Sequence, residues 1–314
     1  MTFNQSAYIE DAMNGFCIQK TNFPFVCAIV DDASTDGEPE IINNYFQNHF
    51  VTSGKKETKD FILNFGRHKE NQNCYFVVIY LKYNHYSKKK RKEQYYADWQ
   101  NKSKYIALCE GDDFWIDSQK LQRQFLCLEG NEDISLTSEN GLVLYTSTGE
   151  TKPFSNEETK SYSIDDLLIR RRFPTASVMF RAKYLDELTK NNCNCDTIIW
   201  AYLSTKGKIQ YTKIISSIYR RGPGITENDK VKWAYTSEFI NNQINTIFNP
   251  STKVRLARRR ILCADYKNGI IAAFKKKLWY DLLKLFGKLS GCWLIYFVNY
   301  VKYRSLYKKS TLKF

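Results

Sequence analysis

Short apolar segments separated by helical patterns limit this chain to an α/β fold. Residues 23–30 and 75–81 are runs of branched and aromatic side chains, and residues 105–109 form a shorter run of the same kind. Such runs are typical of parallel strands that are buried on both faces. Pro39 follows the first run and predicts a helix through Phe50, because proline is preorganised for the first helical turn. The alternation of strands and helices predicts an open sheet with helices packed on it.

Acidic clusters follow two of these predicted strands. Asp31 and Asp32 come directly after the first run, and Glu110, Asp112 and Asp113 come after the third. In open α/β sheets, ligands bind outside the carboxyl ends of the strands. We therefore expect the two clusters to converge on one crevice, although about 80 positions separate them in sequence.

The residue types in the clusters indicate two kinds of chemistry. Glu110, Asp112 and Asp113 supply oxygen ligands beside a glycine, which suits a hard divalent cation such as Mn²⁺ or Mg²⁺. Such a cation neutralises the charge that develops on a departing nucleotide diphosphate. A carboxylate only accepts hydrogen bonds, so Asp31 and Asp32 can take the imide N–H of uracil and favour a uridine nucleotide over a cytidine one.

Two other interpretations apply to the first cluster. The segment from Asp32 to Gly37 is similar to the first half of a calcium-binding loop, but Pro39 interrupts it and the twelfth position is Asn43 instead of glutamate. The ligand count therefore disfavours calcium. Acidic turns also cap helices, and Asp36 fits that role.

Cysteine and histidine chemistry is disfavoured. The nine cysteines are scattered, and only Cys193 and Cys195 lie close together, with neither a second pair nor a nearby histidine. This spacing argues against a zinc site and favours a reducing cytoplasm. None of His49, His68 and His85 lies in a recognisable hydrolase context. We therefore expect any catalysis to depend on carboxylates.

Residues 2–226 resemble the family 2 glycosyltransferases with the GT-A fold, particularly those of bacterial surface-polysaccharide assembly. The resemblance rests on four segments: Thr2-Phe3-Asn4, the Val-Asp-Asp-x-Ser-x-Asp-Gly stretch at 30–37, the Glu110–Asp113 turn, and Trp115-x-Asp117-x-x-Lys120-Leu121-x-x-Gln124. It implies a GT-A domain at 1–227, with a Rossmann-like mixed central sheet flanked by helices, and a C-terminal helical extension at 228–314.

The resemblance also implies residue roles. Asp196, followed by Trp200 and Leu203, is similar to the acceptor-side segment that carries the family's general base, although Asp196 also fits as the N-cap of a helix at 197–205. A base on the face opposite the leaving group implies direct displacement with inversion. Nucleotide-sugar binding is implied for Thr2, Asn4, Asp31, Asp32, Asn84 and Asp112, and metal binding for Glu110, Asp112 and Asp113.

The implied reaction moves a sugar from a nucleotide diphosphate, expected to be UDP, to a hydroxyl of a glycan or lipid-linked glycan. Two departures from the family stand out: Glu110 replaces the commoner aspartate, and the strand that normally precedes Thr-x-Asn is absent before Thr2. We expect the domain to lack that central strand. The alternative is a noncatalytic relative that binds a nucleotide or glycan as an assembly partner.

The positive charge belongs to the C-terminal part of the chain. The net charge is +14, and residues 230–314 contain 18 Lys and Arg against 3 acidic residues, or about +15. We expect helices there, with breaks near Asn249-Pro250 and at 287–291. The basic clusters 258–260 and 275–277 accompany the aromatic residues Trp279, Trp293, Tyr296, Phe297, Tyr300 and Tyr303.

Basic and aromatic side chains together suit the headgroup region of an anionic membrane. The apolar stretch around 293–298 is roughly a dozen residues long, below the ~20 that span a bilayer. We expect a cytoplasmic protein that contacts the inner membrane face peripherally. The alternatives are a helical appendage packed on the main domain and nucleic-acid binding, which the absence of a recognised motif disfavours.

Overall fold

The computed structural model describes residues 1–191, 193, 195–222 and 229–302 of this mixed α/β protein. The predicted domain boundary at 227/228 and Tyr303 lie outside the described residues, as does the side chain of Tyr300. Contacts divide the chain into two compact units. The first comprises 1–162, 173–186 and 206–220, and the second comprises 163–172, 187–205 and 221–314.

The strands lie in the first unit, except for the last residue of β11. They are β1 Phe25–Asp31, β2 Phe50–Glu57, β3 Phe61–His68, β4 Cys74–Leu81, β5 Tyr105–Ala107, β6 Phe114–Trp115, β7 Ile134–Tyr145, β8 Thr151–Pro153, β9 Lys160–Tyr162, β10 Val178–Arg181 and β11 Lys208–Arg221.

Helices occur in both units. They are α1 Ile9–Cys17, α2 Glu38–His49, α3 Ala97–Lys102, α4 Lys120–Glu129, α5 Ile164–Ile169, α6 Leu185–Lys190, α7 Asp196–Ser204, α8 Lys230–Phe248, α9 Thr252–Lys275 and α10 Trp279–Lys302.

Two sheets form the first unit. The four-stranded sheet has the order β1-β4-β3-β2, in which β1 and β4 are parallel and Asp31 is in register with Tyr80. The other pairs in this sheet are antiparallel. The second sheet has the order β5-β10-β7-β11-β6, with β8 on β7 and β9 on β11. Strand β1 therefore lies at an edge of its sheet, and the acidic turns follow β1 and β5.

A shared apolar core lies against both sheets. Helix α1 places apolar residues at 9, 12, 13 and 16, the spacing of one buried helical face. Phe16 contacts Trp115 edge to face at 4.9 Å, and Phe76 belongs to the same cluster. The Trp115 indole donates to the Ala176 carbonyl at 2.7 Å, so this large side chain is buried with its polar atom satisfied. Gly15 permits the close approach, because a Cβ there would lie 2.6 Å from the Trp115 carbonyl oxygen.

Three long helices dominate the second unit. The side chains of Asp229 and Ser251 accept hydrogen bonds from the first turns of α8 and α9, which satisfies exposed helical N–H groups. Asn249 has a φ of 42° and ends α8 in the left-handed conformation. Val231, Leu262 and Leu285 belong to the buried core of this unit.

Several predicted element boundaries differ from the structure. Helix α2, which Pro39 predicted, ends at His49 instead of Phe50. The run at 105–109 forms only the three-residue strand β5, which pairs antiparallel with β10 instead of lying in a parallel arrangement. The predicted break near Asn249-Pro250 is confirmed. The break at 287–291 is wrong, since α10 continues through Gly287 and Gly291. A glycine costs a helix interior only about 1 kcal/mol, which packing along the rest of the helix overrides.

Within the part of the chain that the structure describes, no helix is both long and apolar enough to cross a membrane.

Candidate functional site

The N-terminal residues extend the polar end of β1. The Thr2 N–H donates to the Val30 carbonyl at 3.0 Å, and the Asp32 N–H donates to the Thr2 carbonyl at 3.0 Å. These bonds make a parallel bridge between Thr2 and Asp31. In the described residues, β4 is the only strand paired with β1, so Thr2 is the one backbone neighbour bridged to its other edge.

Glu38 connects the N-terminal segment to the loop after β1. It is fully buried and is the first residue of α2. Its carboxylate accepts from the Thr2 hydroxyl, from the Gln5 N–H at 2.9 Å and from the Ser34 hydroxyl at 2.8 Å. This residue was not predicted from the sequence. An acidic residue directly after Gly37, at the start of a predicted helix, is the pattern that could have identified it.

Asn4 fixes the same loop from the other side. Its N–H donates to the Ser34 hydroxyl at 2.9 Å, and its side-chain oxygen accepts from the Thr35 N–H at 2.8 Å. Asn4 and Ala33 have φ values of 53° and 62°, in the left-handed region that few residues other than glycine adopt. The loop is therefore held in a strained shape by side chains of the N-terminal segment, a feature that is frequent at functional sites.

Asp31 is a buried carboxylate with weak local partners. It is 1% exposed, and the Ser34 N–H donates to its two oxygens over long distances of 3.3 and 3.4 Å. Burial raises the pKa of Asp31 to about 6, and the neighbouring Glu38 carboxylate adds to the rise, against the bonds from Ser34. The hydroxyl of Tyr80, its register partner, is buried without a hydrogen-bond partner among the described residues. Asp31 is thus an acceptor with capacity for a further donor.

Asp32 already accepts from three strong donors. Its carboxylate accepts from the N–H groups of His85 and Tyr86 at 2.7 and 3.0 Å and from the Lys92 ammonium at 2.7 Å. The Asn84 amide donates to the Asp32 carbonyl at 3.1 Å. Asp32 and Asn84 therefore anchor the loop after β4. Of the two predicted base-recognising carboxylates, Asp31 has the longer and fewer hydrogen bonds and therefore the greater capacity to accept from a ligand.

A basic loop that was not predicted from the sequence follows β4. Residues 88–92 read Lys-Lys-Lys-Arg-Lys, and Lys92 reaches the Asp32 carboxylate. Lys90 donates to the Tyr83 hydroxyl at 2.8 Å, and the ammonium of Lys88 lies 4.4 Å from the centre of the same ring. The run of five cations is the sequence pattern that could have identified this loop. The loop lies beside the carboxyl ends of β1 and β4.

The turn after β5 meets the N-terminal segment. The Gly111 N–H donates to the Met1 carbonyl at 3.3 Å, and a Cβ at this glycine would lie 2.3 Å from the Gln5 side-chain oxygen. The same Cβ would lie 2.6 Å from the Thr2 hydroxyl oxygen. The two acidic segments, far apart in sequence, are therefore brought together through Thr2 and Gln5.

Asp113 differs from its predicted role. It is buried, and one of its oxygens accepts the Arg220 N–H at 2.9 Å. The Arg220 guanidinium in turn donates to the Asp112 carbonyl at 2.8 Å, pairs with Asp11 and lies 4.5 Å from the centre of the Phe114 ring. Asp113 thus ties strand β11 to the turn instead of pointing a free carboxylate outward.

A divalent cation can use two of the three predicted ligands. In the described ranges, no group of three His, Cys, Asp or Glu side chains is arranged to hold a metal ion. Glu110 is exposed and Asp112 is half-buried on the same turn, so both offer hard oxygen ligands. Burial raises the pKa of Asp112, and Arg220 and Gln5 oppose the rise. This donor set fits a cation that also binds oxygens of a phosphate-bearing ligand.

Asp196 is in the second unit, whereas the other predicted site residues are all in the first. It is the first residue of α7, one position inside the helix, and the predicted N-cap role is wrong because Cys195 occupies that position. Its carboxylate accepts from the Thr197 N–H at 2.7 Å and pairs with Arg171 at 3.4 Å. The structure does not bring Asp196 and the acidic turns together within one compact unit.

Comparison with known proteins assigns no activity. No protein-family model matches the chain. Similar curated proteins include the uncharacterized proteins Rv1520 and MT1570 of Mycobacterium tuberculosis and Mb1547 of Mycobacterium bovis. Each is 27% identical over 225 residues, which cover 70% of this chain and 57% of the relative. The matched region thus spans little more than half the length of these relatives.

Proposed function

We propose that the first unit is a GT-A domain that binds a nucleotide-diphosphate sugar, and that the protein is an inverting glycosyltransferase of surface-polysaccharide synthesis. The observation that carries this proposal is the meeting of the turns after β1 and β5 through Thr2, Gln5 and Gly111. It creates one polar site at the carboxyl ends of two strands, the position at which open α/β sheets bind nucleotides.

Within this proposed site, the acidic and the basic side chains bind different parts of the nucleotide sugar. Asp31 accepts the imide N–H of uracil, since its carboxylate has spare acceptor capacity. The basic loop at 88–92 attracts the negative diphosphate. Glu110 and Asp112 hold Mn²⁺ or Mg²⁺, which when bound neutralises charge on the leaving diphosphate. Asn4 and Glu38 keep the loop after β1 in shape.

In the proposed transfer, Asp196 removes the proton from an acceptor hydroxyl as the oxygen attacks the anomeric carbon. The bond from that carbon to the phosphate oxygen breaks on the opposite face, and the nucleoside diphosphate leaves with the electron pair. This displacement inverts the anomeric configuration. The proposed acceptor is a hydroxyl of a glycan or lipid-linked glycan, and the proposed location is the cytoplasmic face of the membrane.

The second candidate is a noncatalytic protein that binds a nucleotide or glycan in an assembly. Two observations favour it: Asp113 is committed to Arg220, and β1 lies at an edge of its sheet. The two candidates share nucleotide binding and differ in turnover.

Thermal stability tests the donor site. The purified chain is heated with Mn²⁺ or Mg²⁺ and each of a panel of nucleotides and nucleotide sugars. A ligand at about 100 times its dissociation constant stabilises the fold by about 2.7 kcal/mol. We expect a metal-dependent response to a uridine nucleotide that Asp112→Asn abolishes and that Asp98→Asn, an exposed aspartate on α3, leaves intact. A folded chain without any response contradicts the donor site.

Turnover separates the two candidates. The donor found by the thermal assay is supplied with a radiolabelled sugar and a panel of glycans and lipid-linked glycans. Transfer that Asp196→Asn abolishes, without loss of the thermal response, supports the enzyme. Binding without transfer or donor hydrolysis favours the assembly protein.

A further inference from the structure

Helix α10 carries two apolar stripes, of which only one is used inside the protein. The inward stripe, with Leu282, Leu285, Leu289 and Cys292, packs in the core of the second unit. The outward stripe has Trp279, Leu283, Phe286 and Trp293, all exposed, at helical spacing. A helix on the surface of a globular protein needs a single apolar stripe, and among the described residues the outward one is left exposed.

Helix α9 continues this outward surface. Ile271, Phe274 and Leu278, which ends the connection to α10, are exposed at spacings of three and four residues. The Phe274 and Trp279 rings touch edge to face, with centroids 6.2 Å apart. Between the two helices runs an apolar groove of about 400 Å³, bordered by Phe286 and Trp293. We call this surface of α9 and α10 the hairpin face.

The charge around the hairpin face is mainly positive. Residues 252–302 contain 12 Lys and Arg against 2 acidic residues. Both acids face protein: Asp265 accepts from Ser237 at 2.6 Å, and Asp281 accepts from Tyr235 at 2.8 Å. Lys267, the cluster 275–277 and Lys284 are exposed. Among residues 252–302, which the structure describes, cations therefore far outnumber acids around the hairpin face, and both acids are hydrogen-bonded to α8.

We propose that the hairpin face docks in the plane of an anionic lipid bilayer, with its aromatic side chains among the acyl chains and its lysines at the headgroups. Charge decides between the candidate occupants. A second copy of the chain would place lysines against lysines, and the aromatic stripe would stay exposed on a nucleic acid, whereas an anionic bilayer accepts both kinds of side chain. This inference deepens the proposed membrane location and does not depend on sugar transfer.

Vesicle binding tests the proposal on the full chain. We expect cosedimentation with vesicles of phosphatidylcholine and phosphatidylglycerol at 3:1, and little with phosphatidylcholine alone. Phe286→Ser with Trp293→Ser should abolish binding. Phe239→Ser is the matched control, because Phe239 on α8 is 57% exposed, close to the 62% of Phe286, and does not border the groove.

The lysines predict a measurable electrostatic contribution. Replacing 275–277 by three glutamines should weaken binding about a hundredfold, since each cation near the surface contributes about fivefold, or about 1 kcal/mol. Raising the salt from 50 to 500 mM should weaken wild-type binding and have a smaller effect on the triple variant.

The depth to which the hairpin face inserts into the bilayer is tested with lipids whose acyl chains are brominated, because bromine quenches tryptophan fluorescence at short range. We expect quenching of the wild type that is lost when Trp279 and Trp293 are both replaced by phenylalanine. Full vesicle binding by the serine double variant, equal binding to neutral vesicles or the absence of quenching overturns the proposal. So does a dimer that the serine variant dissociates, or tighter binding to RNA than to vesicles. The nucleotide-dependent thermal shift should be unchanged in every hairpin variant, which separates this proposal from the proposed function.

Discussion

Asp31→Asn should stabilise the protein at neutral pH while weakening uridine binding. The wild-type carboxylate is 1% exposed, and its pKa rises from 3.8 to about 6 because burial disfavours its charged form. That rise corresponds to about 3 kcal/mol of lost stability once the group is charged in both the folded and the unfolded states. The amide loses the long bonds from the Ser34 N–H, worth about 1 kcal/mol. The net gain at pH 7.5 is therefore about 2 kcal/mol.

The direction in which the stability difference changes with pH shows whether the buried charge of Asp31 is its cause. An acid whose pKa is raised by folding does not lower the stability below about pH 4, because it is largely protonated in both the folded and the unfolded states. Above about pH 6 it is charged in both states, and the loss of stability is complete. The advantage of the Asp31→Asn variant should thus fall by about 2 kcal/mol between pH 7.5 and pH 4.5.

Urea unfolding followed by tryptophan fluorescence at the two pH values measures this difference. Asp98→Asn serves as the control, since its exposed carboxylate should change stability by no more than about 0.5 kcal/mol at either pH. A variant that is destabilised equally at both pH values would refute the argument from burial. In calorimetry, uridine should bind the wild type more weakly as the pH falls through about 6, because protonation removes the negative charge that strengthens the bond from the imide N–H.

Three further substitutions test the packing of both units. Gly111→Ala should cost about 1–3 kcal/mol and abolish the nucleotide-dependent thermal shift, because the new Cβ would lie 2.3 Å from a side-chain oxygen of the N-terminal segment. Lys92→Met removes the cation paired with Asp32 and should cost about 1–3 kcal/mol, with faster trypsin cleavage in the loop after β4. Leu285→Ala should destabilise the second unit by about 2–5 kcal/mol in urea unfolding, whereas exposed Leu283→Ala should change it by less than about 0.5 kcal/mol.

The elements around the candidate site were accessible to sequence reasoning because their signals are local. Apolar runs bounded by polar turns predict strands, and residues 23–30 and 75–81 predicted β1 and β4 to within two residues. The expected burial on both faces is wrong for the first half of β1, where Val26 is 40% exposed at the edge of the sheet. The positions of the two acidic turns followed from the ends of the runs at 23–30 and 105–109. The break at Asn249-Pro250 followed from turn chemistry.

The assignment of a carboxylate to a ligand or to the protein itself was decided only by tertiary structure. Asp31 and Asp32 are adjacent and identical in type. A loop more than 50 positions away supplies three donors to Asp32, whereas the long bonds to Asp31 come from nearby Ser34. Asp113 is likewise taken up by Arg220, which is 107 positions away in sequence.

In the C-terminal helices, too, only the tertiary structure decides which side chains are buried. The sequence determined that the C-terminal region is basic, aromatic and helical. It did not determine which of the two apolar stripes of α10 is covered, because that depends on where α8 and α9 lie. Hydrogen-bond donors and apolar neighbours arrive from distant segments, so the state of a side chain is fixed only when those segments are in place.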